Sequence, residues 1–247
     1  MTDYRDEAIA PETSIEEFRK IVESRRSVRR FTDEPVPDAV VEDCLDLAML
    51  APNSSNLQPW EFYVVRDDAV KAKLAEACLG QNAATTAQVL IPIIARPDTW
   101  KQNSLRNLEY WPEETMPKII KNYYSKIALF HYNPGPLGSL GLAKKALGLV
   151  VGLKQAIPRG PYGINEMKTW AVKSTALAAE NMMLAFRAHG YDTCPMEGFD
   201  ERRVRKILDL PSDAIVTMIL GVGKRAEDGI YHRRYRFPRE EFIHYIS

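Results

Sequence analysis

Arg25-Arg-Ser-Val-Arg-Arg30 places four guanidiniums within six residues, and Arg233-Arg-Tyr-Arg-Phe-Pro238 repeats the theme near the other end of the chain. Guanidiniums this close repel one another unless an anion sits among them, and their planar fork of donors matches phosphate oxygens. If the two segments meet in the fold they can neutralise a single phosphate, with the Ser27 hydroxyl adding one more donor. A third stretch, Ala51-Pro-Asn-Ser-Ser-Asn-Leu-Gln-Pro-Trp60, gathers three amides, two hydroxyls, two ring-fixed φ angles and a large aromatic. It is poor helix and poor strand, so it reads as a rigid polar loop able to offer hydrogen bonds to a ligand.

Other chemistries find little support. Lys plus Arg and Asp plus Glu balance at 33 each, so no overall field holds the protein on nucleic acid or on an acidic membrane, and any anion site must be local. Arginine with interleaved aromatics could also read nucleic acid, but zero net charge and the acidic residues around both clusters argue against it. Met1–Ala10 carries Asp3, Asp6 and Glu7 without an apolar core, unlike a signal peptide, and the longest apolar run, Ala146 to Leu153, is too short to span a bilayer. Cys44, Cys78 and Cys194 are odd in number and far apart, which fits reduced thiols in a cytoplasmic protein. The four histidines have no metal-ligand spacing, so no metal site is expected, and neither paired carboxylates nor a nucleophilic triad is visible.

The elements that must position these groups follow from periodicity. Ser14 with Glu17 makes a capping box for a first helix with Ile15, Phe18, Ile21 and Val22 on one stripe, ending at the first arginine cluster. A second helix around Val40–Ala48 leads into the polar loop, and Trp60–Val65 reads as a strand. Asp67 or Asp68 caps a third helix that Gly80 ends, followed by Gln81-Asn82 and a buried strand from Gln88 to Ala95, which Pro92 places at an edge or bulge. Residues 96–165 are rich in aromatics and then in Gly and Pro, and read as an inserted cap of short helices and loops within a single domain spanning 1–247. Glu166–His189 is the longest helical signal, with Trp170, Ser174, Leu177, Ala178, Asn181, Leu184, Ala185 and Ala188 on one face. Tyr191–Pro195 reads as a strand leading to a turn, Asp200 caps a basic helix through Leu208, and Ala214–Gly223 reads as a central strand.

Taken together, Arg25-Arg-Ser-x-Arg-x-Phe31, Ala51-Pro-x-Ser-x-Asn-x-Gln-Pro-Trp60, Pro195-x-Glu-Gly-Phe-Asp200 and Arg234-x-Arg-x-Pro238 resemble the motifs of the FMN-dependent nitroreductase family, in order and across nearly the whole chain except residues 96–165. The resemblance implies an α+β fold, a central mostly antiparallel sheet flanked by helices, in an intertwined homodimer. It implies that Arg25, Arg234 and Arg236 bind the FMN phosphate, that Arg26 and Ser27 hold the ribityl and phosphate region, and that Arg29 lies near the pyrimidine edge. Pro52, Asn53, Ser54 and Asn56 would belong to the loop that reaches the flavin of the partner subunit, Asn53 standing where relatives often have Ser. Pro195, Met196, Glu197 and Gly198 would lie along N5 and O4, and Gln81 or Asn82 would supply an amide to the pyrimidine. Trp100, Trp111, Tyr123 and Tyr124 would roof a substrate slot, their other reading being the core of the cap. The implied activity is ping-pong hydride transfer from NAD(P)H to a nitroaromatic, quinone or related acceptor, with the flavin rather than a side chain carrying the chemistry.

Two other readings stand beside this one. Reductive dehalogenation on the same fold would need a lid Glu and Tyr one helical turn apart, yet Arg106 precedes Tyr110 and Ile119 precedes Tyr123 at that spacing. A flavin-binding carrier or sensor without turnover would retain the cofactor motifs but fail to accept electrons from a nicotinamide.

Overall fold

The computed structural model describes residues 11–246, so the reading of Met1–Ala10 falls outside the described residues. Ten α-helices are described: α1 (Ile15–Ser24), α2 (Asp38–Met49), α3 (Asp68–Ala77), α4 (Asn82–Thr85), α5 (Trp100–Glu109), α6 (Lys118–Asn122), α7 (Ala128–His131), α8 (Ser139–Val151), α9 (Ile164–Ala188) and α10 (Glu201–Ile207). The strands β1 (Trp60–Phe62), β2 (Val89–Ala95), β3 (Asp192–Met196) and β4 (Ile215–Gly223) form one antiparallel sheet in the order β1-β2-β4-β3. This is the expected α+β architecture.

Side-chain caps set three helix starts as the sequence implies. Ser14 Oγ accepts the Glu17 amide at 3.3 Å, an Asp67 carboxylate oxygen accepts Val70 N–H at 2.9 Å, and an Asp200 oxygen accepts Arg203 N–H at 3.2 Å. The sheet is covered on both faces. Leu90, Ile94, Cys194 and Ile219 pack toward Leu74 of α3 and Val204 of α10, while Ile91, Ile93, Leu220 and Val222 pack toward Cys44 of α2 and Met182 and Phe186 of α9. Burial on both faces is why β2 and β4 read as apolar runs rather than alternations.

Three expectations need correction. Pro92 lies in an interior strand, paired with Ile219 of β4. Its missing N–H removes one donor on the β1 side only: the Pro92 carbonyl still accepts Tyr63 N–H at 3.1 Å, and the ladder resumes at the bridge between Val65 and Leu90. The register shift comes one step later, between Ile93 and Ile94. The stripe on α1 is not buried, since Ile15, Phe18 and Val22 are all exposed in the protomer. On α9 the buried arc is wider than one stripe: Leu177 and Ala188 face out, while Ala171, Thr175, Ala179 and Met183 are buried, because the helix is wedged between α2 and the sheet.

Candidate active site

The two arginine clusters meet because the chain between Arg25 and Phe31 is stitched to both the sheet and the C-terminal segment. Val28 N–H donates to Thr193 O at 3.0 Å beside β3, Arg29 N–H donates to Gly229 O at 2.7 Å, and Ala226 N–H donates to Arg30 O at 3.1 Å. The approach is so close that a Cβ on Gly229 would lie 2.6 Å from Arg30 O and 2.9 Å from Ala226 O, so only glycine fits there. Asp192 of β3 anchors the same junction. Its buried carboxylate receives Arg187 at 3.0 Å and Arg225 at 2.6 Å, fixing the start of the C-terminal segment against the strand.

The result is a cavity of about 650 Å³ lined by Arg25, Arg26, Ser27 and Arg29 from one end of the chain and by Arg234 and Arg236 from the other, with Gln81 and Asn82 of the α4 turn at its wall. The guanidiniums are held by backbone carbonyls: Arg26 donates to His232 O at 2.5 Å, and Arg234 donates to Glu23 O at 2.8 Å and to Arg25 O. Desolvation, followed by the like charges of Arg26, Arg236 and Arg25, pushes the Arg234 pKa below its ordinary value. A cluster that disfavours its own charge is relieved by an anion, and among the described residues no carboxylate lines this cavity. The Asn82 amide donates to the Tyr231 hydroxyl at 3.0 Å, and Gln81 Nε2 donates to Gly198 O at 2.7 Å. Gln81 thereby ties the Glu197–Gly198 turn after β3 to this wall. Arg29 Nη1 lies 3.5 Å from the buried Cys194 thiol, whose pKa burial pushes up against the opposing pull of the guanidinium.

The polar loop lies elsewhere in the protomer. Pro52, Asn53 and Ser54 line a second cavity of about 800 Å³ with His131, Tyr132, Arg159, Glu166, Lys173 and Ser174, and the two cavities share no lining residue. Trp170, whose buried Nε1 has no hydrogen-bond partner among the described residues, also faces this second cavity. Asn56 points instead to α5, donating to Asn107 Oδ1 at 2.9 Å. The loop is a short 3-10 turn in which Ser55, Asn56 and Gln58 all have positive φ, at 61°, 49° and 43°. It is over-determined by hydrogen bonds. Asn53 Oδ1 accepts Gln58 N–H at 2.8 Å, Asn103 and Asn107 donate to Leu57 O and Asn56 O, and Ser54 and Ser55 bond the Tyr132 hydroxyl at 2.6 and 3.0 Å. Strained backbone kept in place by this many partners is typical of ligand clamps.

Of the four aromatics expected to roof a slot, none lines either cavity. Trp100 and Tyr123 pack against the core around Tyr132 and Trp170, and Tyr123 also bonds Ser55 Oγ at 2.5 Å. Burial, then the neighbouring Tyr123 and Tyr132, raises the Tyr124 pKa, and the Tyr124 carbonyl accepts the Ser104 hydroxyl. Trp111 holds its Nε1 buried. The sequence reading missed Tyr231, His232, Tyr235 and Phe237, which line the arginine cavity. Their signal was the alternation of aromatic and basic residues through that segment. It also missed Arg159 and Lys173, which belong to no motif.

An α+β fold with an antiparallel sheet, and beside β3 an arginine cavity built from both ends of the chain, presents a set of donors whose chemistry suits a phosphorylated ligand. The nitroreductase family model matches residues 22–224, and the chain belongs to the nitroreductase family. It is 32% identical over 221 residues to a Thermus thermophilus protein named NADH dehydrogenase, covering 89% of this chain and 91% of that one. It is 31% identical to protein DrgA of Synechocystis, covering 87% of each. Among solved structures it resembles the ydfN protein of Bacillus subtilis, with a TM-score of 0.76 and 24% identity over 94% of this chain and all of the other. It also resembles an Exiguobacterium sibiricum protein crystallised in complex with FMN, with a TM-score of 0.70 and 23% identity over 96% and 99% of the two chains.

Proposed function

We propose that the protein is an FMN-dependent NAD(P)H oxidoreductase that reduces nitroaromatic, quinone or related acceptors. The observation that carries this reading is the meeting of Arg25, Arg26, Arg29, Arg234 and Arg236 around one cavity with no carboxylate among the described residues of its wall. That donor set fits the phosphate of FMN, which when bound supplies a ring that accepts electrons from a nicotinamide and passes them to the acceptor. The chain's own groups bind and orient. Arg25, Arg234 and Arg236 hold the phosphate, Arg26 and Ser27 the ribityl end, and Arg29 places a cation where negative charge accumulates on reduction. Gln81 keeps the Glu197–Gly198 turn in place, so that the Glu197 and Gly198 amides face the ring. No side-chain acid or base is needed, and donor and acceptor occupy the same face in turn.

In this reading the second cavity completes the site across a homodimer. A second copy lays its Pro52–Ser54 loop over the first copy's arginine cavity, and residues 96–165 form a cap beside it. The exposed stripe on α1 and the exposed aromatics Tyr235, Phe237, Phe242 and Tyr245 of the C-terminal segment are apolar surface of the kind a partner covers. The test is the visible spectrum of the purified protein, followed by anaerobic addition of NADH and then NADPH. Flavin bands that bleach with either donor are expected. A colourless protein that fails to bind added FMN overturns the reading, and a bound flavin that neither donor reduces makes the protein a carrier.

A further inference from the structure

Helix α8 is built inside out. The residues it buries are Gly141, Lys144 and Gly148, whereas Leu142, Leu147, Leu149 and Val150 are exposed, at 71%, 58%, 61% and 65%. Leu153, just past its end, is 87% exposed. The inversion has a packing cause. A Cβ on Gly141 would lie 1.7 Å from Tyr162 O, so the glycine face is pressed against the following segment. Lys144 Nζ donates to the carbonyls of Phe130, His131 and Asn133, closing the C-terminus of α7. With one face committed to backbone, the leucines are left outward, and at 100° per residue they cover a continuous arc.

Charge is distributed as unevenly as the leucines. No Asp or Glu stands between Glu114 and Glu166, whereas six lysines and one arginine do. All but Lys144 are exposed, and none of the seven forms an ion pair with a described residue. The zero net charge of the whole chain conceals this local field.

We propose that α8 docks the protein on an anionic lipid surface, with the leucines entering the headgroup and acyl boundary and with Lys145 on the helix and Lys154 and Arg159 just past its end at the rim. Aliphatic residues flanked by lysines are the composition of interfacial helices, where a long stem lets the ammonium stay among the headgroups. Protein interfaces, by contrast, favour aromatic and arginine anchors and are depleted in lysine. A second copy is a poorer occupant, because a two-fold contact through α8 would set this acid-free segment against itself. The mode is peripheral: among the described residues no helix is long and apolar enough to cross a membrane.

The test uses the full chain with FMN present and sedimentation with vesicles of phosphatidylcholine alone or mixed with phosphatidylglycerol. Binding to the mixed vesicles that weakens as salt rises is expected. The variant Leu142→Asp/Leu149→Asp/Leu153→Asp should bind at least about tenfold more weakly, since one leucine's transfer is itself worth roughly a factor of ten. Because these side chains are exposed in the protomer, the variant should keep its circular dichroism and its melting temperature. A second variant, Lys145→Glu/Lys154→Glu, should lose most of the salt-sensitive part. Equal binding to both vesicle types, no binding to either, or unchanged binding by both variants overturns the proposal. So does an assembly larger than the wild type's basal oligomer that forms without lipid and is lost in the leucine variant, because it assigns the face to a second copy. Flavin spectra are read separately, so failure here leaves the oxidoreductase reading untouched.

Discussion

Arg25 and Arg236 lie 211 positions apart by their numbers and line one cavity, so each is a half of a clamp that neither sequence segment could form alone. Removing both, as Arg25→Ala/Arg236→Ala, should weaken FMN binding at least a hundredfold at two charge-assisted contacts of roughly 1.5–3 kcal/mol each. Wild-type affinity in a fluorescence titration with FMN would rule the clamp out. Tyr132 acts on the polar loop, with which it lines the second cavity. Its ring is buried, and its hydroxyl bonds Ser54 and Ser55 in the segment where Ser55 has φ of 61°. Tyr132→Phe removes that partner without changing the packing and should cost about 1–2 kcal/mol in urea unfolding. An unchanged midpoint would mean that Asn53, Asn103, Asn107 and Tyr123 suffice to hold the loop.

At the scale of elements, the site depends on the junction of β3 with the chain after β4. Asp192 is 4% exposed and receives two guanidiniums, from the last turn of α9 and from Arg225. Asp192→Ala leaves Arg187 and Arg225 facing each other without their anion, and both can reach water, which moderates the penalty. A loss of about 2–4 kcal/mol in denaturant unfolding is expected, with weaker FMN binding, because the C-terminal segment loses its anchor. Stability lost with FMN affinity intact would show that Gly229 and its backbone contacts suffice to place the arginines.

For the whole molecule, pH and assembly are the informative variables. Burial, then the nearby Lys144, lowers the His131 pKa below 6.5 in the folded chain. A histidine with a depressed folded pKa binds fewer protons folded than unfolded, so its contribution to stability is complete above about pH 6.5 and declines as pH falls through that window. The melting temperature should therefore drop between about pH 7.5 and 5.5, and His131→Phe should drop less. An identical slope for both proteins would place the pH dependence elsewhere. The proposed two-chain site predicts twice the 28.1 kDa chain mass by sedimentation velocity. A monomer that still turns over would separate the polar loop from the chemistry.

The sequence by itself determined the helix starts at Ser14, Asp67 and Asp200, the four strands, with β2 and β4 as apolar runs, and the family through four motifs, because caps and periodicity are local and guanidinium chemistry is written in residue type. It did not reveal that Pro92 is interior, since that depends on where β1 leaves the sheet, a non-local fact. Nor did it decide between roof and cap core for Trp100 and Tyr123, which within the protomer pack against the cluster holding Leu57 and Tyr132, or separate the cavity of Pro52–Ser54 from that of the arginines. Those outcomes follow from which faces the tertiary packing leaves free. The same holds for α8. Its leucines belong to the longest apolar run of the sequence and its surroundings, and only the backbone pressed against Gly141 and the carbonyls gathered by Lys144 turned them toward the surface.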